Sequence, residues 1–142
     1  MGGQKLSAKA EEEVVFLETL LQQIAHLAAK TEEYAGTKKG DDILQAITRQ
    51  LTAIRQKAMM KNLGPVADSA GILAIAVGRG SQMQRTRMLR EGLTSYQQLI
   101  ERTMKATIGA DLRKRAEDEK VMAQRAATQN AAAPHPAPGQ GE

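Results

Sequence analysis

From Leu17 to Met104 the larger aliphatic side chains recur every three or four positions, and this period constrains the fold more than any other feature. Residues spaced this way share one face of an α-helix, whereas a half-buried strand would place them at alternate positions. Leu17, Leu20, Leu21, Ile24, Leu27 and Ala28 form one such face. Leu44, Ile47, Leu51, Ile54 and Ala58 form a second, and Leu89, Leu93, Tyr96, Leu99, Ile100 and Met104 a third. One Phe, two Tyr and no Trp leave little material for a sheet, which draws on aromatic and β-branched residues.

Glycine-bearing breaks separate these runs. The spacing predicts a first helix over residues 10–35, with Glu11, Glu12 and Glu13 near its positive end and Gly36 as its stop. Residues 36–40 read as a lysine-bearing loop, and Asp41 as the N-cap of the second helix. In Asn62-Leu63-Gly64-Pro65, Gly64 is expected to take the left-handed conformation that closes a helix, and Pro65 to open the next. The third helix is expected over residues 66–78, with Ile72 and Ile75 in a centre so apolar that burial on all sides follows. Ser81 and Gln84 have the spacing of a capping box for the fourth helix. Four amphipathic segments joined by short turns make an all-α, antiparallel four-helix bundle over residues 10–108. Gly109 then interrupts the pattern. Residues 109–130 form a charged, helix-prone extension, and residues 131–142 a disordered Ala/Pro/Gly tail.

The same residues exclude several kinds of chemistry. Without cysteine there is no disulfide, zinc–thiolate site or thiol nucleophile. No apolar run approaches the roughly 18 residues of a membrane span, and no signal-peptide pattern opens the chain, so a cytoplasmic location is expected. The acidic clusters sit at helix ends or on polar segments, where capping and solubility explain them. Residues 78–81 resemble a phosphate loop only in composition, and Met59, Met60, Met83, Met88 and Met104 read as core or contact residues. No enzyme activity, cofactor or metal is expected.

Of the two histidines, His135 lies between prolines in the tail. His26 falls about 200° round the helix from Ile24 and so faces solvent, with Lys30 one turn later. An accessible imidazole beside a cation is what a phosphoacceptor needs. The net charge is +4, with eleven Lys or Arg against eight acids from Val66 onward. Arg79, Arg85, Arg87 and Arg90 therefore offer a nucleic-acid-binding alternative, and residues 110–130 a route to homo-oligomerisation.

Residues 54–100 resemble a histidine phosphotransfer (HPt) domain, a four-helix bundle that relays phosphoryl groups to receiver domains. That family carries His-x-x-Lys-Gly on its second bundle helix and a Leu-Gly turn ten residues after the histidine. Counted back from Leu63-Gly64, Lys57 falls at the lysine, Ala58 at the glycine and Ile54 at the phosphoacceptor, with Gln56 at the usual aliphatic position. The resemblance implies a degenerate, non-enzymatic adaptor that binds a receiver domain or histidine kinase without phosphorylation at position 54. Its contact surface would be the flank of the second helix carrying Arg55, Lys57 and Lys61.

Overall fold

A computed structural model describes residues 6–132, with side chains described as far as residue 129. The described residues form four α-helices in antiparallel order: α1 Ala8–Ala35, α2 Asp41–Met60, α3 Gly64–Ala76 and α4 Gln82–Ala132. The greater part of the segment expected to be a disordered tail, residues 133–142, lies outside the described residues.

The core consists of the periodic faces seen in the sequence. Leu17, Leu20, Ile24 and Leu27 of α1 meet Ile47, Leu51, Ile54 and Ala58 of α2, Val66, Ala70 and Leu73 of α3, and Leu89, Leu93, Tyr96 and Ile100 of α4. Burying a large aliphatic side chain contributes about 1.5–3 kcal/mol, which offsets the ordering of the chain around it. The Tyr96 hydroxyl donates to the Val66 carbonyl at 2.9 Å, so the one polar atom of a buried ring is satisfied.

Each helix end has a local cause. Ser7 caps α1, its hydroxyl accepting from the Ala10 amide. Gly40, and not Asp41, is the N-cap of α2; Asp41 is already helical. A Cβ on Gly40 would lie 2.5 Å from Tyr34 Cδ1, so the close approach of the loop to that ring requires glycine. Ser81 and Gln84 form the expected capping box, with the Gln84 amide donating to Ser81 Oγ and the Ser81 amide to Gln84 Oε1.

The α2–α3 turn corrects the expectation for Gly64. Asn62 has the left-handed φ of 60°, and Gly64 is the first residue of α3. The Leu63 amide bonds the Ala58 carbonyl and the Asn62 amide that of Met59, the pattern of a Schellman motif. Pro65 fixes the start of α3, so the chain must reverse before Gly64, and asparagine tolerates that geometry better than most residues.

Two further expectations are corrected. The centre of α3 is not buried on all sides: Ile72 and Ile75 are 69% and 66% exposed. α3 packs against α2 and α4 and, among the described residues, has no neighbouring element on its third side. Gly109 does not interrupt α4, which runs through it as one helix of 51 residues. At 1.5 Å per residue that is about 77 Å, against about 42 Å for α1. The last link between them joins α1's N-cap to Asp111, whose carboxylate accepts from the Ser7 amide at 2.9 Å and hydroxyl at 2.7 Å. Beyond it, residues 112–132 project as an arm about 30 Å long.

Candidate functional site

The position matched to a phosphoacceptor lies in the core. Ile54 is 1% exposed, packed among the apolar residues of all four helices. Its place on α2 follows from the three-four spacing Ile47, Leu51, Ile54, Ala58, every member of which is buried. An imidazole at this height of α2 would point into apolar surroundings, away from any docking protein.

Arg55, Lys57 and Lys61 are all exposed, yet they do not form one patch. Arg55 and Lys57 are about 200° apart on the helical wheel. Arg55 turns towards α3, where its stem covers Gly71; a Cβ there would lie 2.9 Å from Arg55 Cδ. Lys61 turns towards α1, 3.8 Å from a Glu12 carboxylate oxygen and 5.8 Å from the centre of the Phe16 ring. The basic flank is thus split by the ridge of α2.

Arg55 instead borders an apolar surface that periodicity alone placed inside the bundle. Register across the α2–α3 hairpin sets Arg55 level with Gly71, beside Ile72 and one turn from Ile75. Met59 (53% exposed) lies one turn further along α2, and Asp68 is exposed near the start of α3. Met59, Met60 and Met83, expected as core or contact residues, are all exposed and so not part of the core. The hairpin therefore presents isoleucine and methionine to solvent with a cation and an anion at the edge. Exposed apolar side chains grouped in this way mark interaction surfaces more often than isolated ones do.

The other residues singled out from sequence are dispersed. His26 is exposed on the outer face of α1, and Lys30 is half-buried one turn on. Of the four arginines, Arg90 is engaged by Glu32 through two hydrogen bonds of 2.8 and 2.7 Å. Those bonds, with the opposite charge, lower the Glu32 carboxyl below its ordinary range and raise the Arg90 guanidinium. Arg85 donates to the Gly78 carbonyl at 3.3 Å, which leaves Arg79 and Arg87 as exposed members of the set with no side-chain hydrogen bond among the described residues. Among the described residues no cluster of His, Asp and Glu could hold a metal ion, and no helix is long and apolar enough to cross a membrane.

Sequence reasoning also missed the ties that hold α1 to α4. The Gln82 side-chain amide donates to the Tyr34 and Thr37 carbonyls, closing the exposed end of α1. Glu13 accepts from Thr107 at the other end. These contacts join residues far apart in the chain, so no local pattern could have revealed them. Compared with protein-family models, curated proteins and solved structures, the chain matches none.

Proposed function

We propose that this chain is a non-enzymatic, cytoplasmic interaction module that binds a partner protein through the outer face of its α2–α3 hairpin. The observation that carries the reading is the exposure of Ile72 and Ile75 beside Arg55. A central apolar contact with a charged rim is the usual anatomy of a protein interface, and the arginine at the edge favours a partner bearing carboxylates. The HPt resemblance supplies the partner class: a receiver domain, whose phosphoacceptor pocket is acidic, or a histidine kinase. Binding would occur without phosphoryl transfer at position 54, because isoleucine has no nucleophilic atom.

Titration calorimetry against a receiver domain at low salt tests this. Binding is expected, and Arg55→Glu and Ile75→Asp should each weaken it at least about tenfold while leaving the unfolding midpoint unchanged. Absence of binding to the wild-type chain, or full affinity in both variants, would overturn it. A second reading keeps phosphotransfer and moves it to His26, on the strength of its exposure and of Lys30 one turn away. Transfer of label from a phosphorylated receiver should then vanish in His26→Ala; label retained in that variant disposes of the second reading.

A further inference from the structure

Past Asp111, α4 continues as a long helical arm. Beyond Asp111 no hydrogen bond or ion pair among the described residues ties it to another element, and Met122 is 68% exposed. Helices in proteins derive most of their stability from packing one face against something else. The arm's own charges do little to replace that. Arg113, Lys114 and Arg115 stand four residues before Glu117, Asp118 and Glu119, the weaker order for pairing along a helix. Among the described residues the only ion pairs are Lys61–Glu12 and Arg90–Glu32, so none of these six side chains closes on another.

Ile108, Leu112, Arg115, Glu119, Met122 and Ala126 follow one another at alternating spacings of four and three. That is the seam of a two-stranded coiled coil, apolar at both ends and oppositely charged in the middle. The seam is also symmetric about Glu117. If a second copy of the arm runs antiparallel about that point, Ile108 meets the second copy's Ala126, Leu112 its Met122, and Arg115 its Glu119. Each layer recurs on the other side of the axis. Arg115 of each chain then lies level with Glu119 of the other, while Lys114, Glu117 and Lys120 fall off the seam on the outer faces. Parallel, in-register pairing would set like blocks against each other at every level.

We propose that the chain forms an antiparallel homodimer through this arm, with its two central Arg115–Glu119 layers fixing direction and register. The occupant of the arm's open face is thus a second copy, identified by seam charges, Arg115 and Glu119, that are complementary to their own reverse. A single polar layer within an apolar seam is a known means of fixing register and orientation in coiled coils. Ile108 and Leu112 are only half-buried, and Glu101 and Lys105 on the same side of α4 are exposed, so the second copy's arm has room beside the bundle. The proposal does not depend on what binds the α2–α3 face.

Sedimentation equilibrium of the full chain at near-physiological salt reads the result directly. A species of twice 15.4 kDa is expected at high loading. Arg115→Glu alone should give monomer, as should Glu119→Arg alone, because each sets like charges together in both central layers. The double variant R115E/E119R should recover the dimer, and an equimolar mixture of the two single variants should form a heterodimer. The chain has no cysteine, so orientation can be read by cross-linking. Leu112→Cys chains mixed with Met122→Cys chains should join to each other in preference to themselves. A monomer throughout, a dimer indifferent to R115E, or a preference for 112–112 cross-links would each overturn the proposal.

Discussion

Replacing Ile54 by histidine would install a phosphoacceptor type of residue at position 54, and the structure predicts that it damages the fold instead of creating an activity. Ile54 is 1% exposed and packed on all sides, so its removal forfeits about 2–3 kcal/mol of apolar burial. No polar group of the surrounding cluster is placed to receive the imidazole, whose ring nitrogens would be left unpaired at a further cost of about 1–3 kcal/mol. A total of roughly 3–6 kcal/mol is a large part of the 5–15 kcal/mol that holds a typical small domain. The penalty has a pH dependence of known sign. A buried histidine is held neutral with its pKa below the unfolded value near 6.5, so the unfolded chain binds more protons as pH falls and the variant weakens further below that pH. Urea unfolding followed by circular dichroism gives the loss, with Ile54→Val as a control expected to cost only about 0.5–1.5 kcal/mol. If Ile54→His unfolds within about 1 kcal/mol of the wild type, or accepts phosphate from a receiver while folded, the placement of position 54 in the core is refuted.

Other perturbations test separate parts of the structure. Asn62→Val should cost about 1–2 kcal/mol in urea unfolding, because a β-branched residue resists the φ of 60°, whereas Asn62→Gly should be neutral or slightly stabilising. Tyr96→Phe removes the 2.9 Å bond to the Val66 carbonyl inside the core and should lower stability by about 1–2 kcal/mol in the same assay. Asp111 is held below the ordinary carboxylate range, chiefly by the Ser7 amide and then by its hydroxyl. A depressed folded value means that this tie stabilises above about pH 4 and is lost as pH falls through the folded pKa. Amide exchange in the first turn of α1 should therefore accelerate in acid, and Asp111→Asn should abolish that dependence.

The sequence made the bundle legible because its signals are local. The three-four spacing of leucine and isoleucine fixed which faces of α1, α2 and α4 turn inward, and Ser81 with Gln84 announced the start of α4 through a bond pattern confined to four residues. Where two local signals competed, reading by residue type went astray. Gly64 looked like the left-handed residue because glycine adopts that conformation most readily, but Pro65 had already committed Gly64 to the next helix and the reversal moved back to Asn62. Gly109 looked like a break because glycine weakens a helix, yet its cost of roughly 1 kcal/mol is small beside the cooperativity of a helix anchored on both sides of it.

What could not be read was which neighbour each face meets, and the candidate site depends on that. Ile72 and Ile75 lie on a helix apolar nearly all round, a pattern that serves equally for burial within one chain and for burial against another protein. Among the described residues no further element lies beside α3, and that, a property of topology, separates the two cases. The same holds for Arg55, Lys57 and Lys61. Their closeness in sequence suggested one basic patch, but the ridge of α2 divides them, and Arg55 gains its meaning from Gly71 across the hairpin. Position 54, matched by resemblance to a phosphoacceptor, therefore offers no reactive group. The residue that would have carried the reaction is spent on the core, and the nearest arginine borders the apolar face that the core left uncovered.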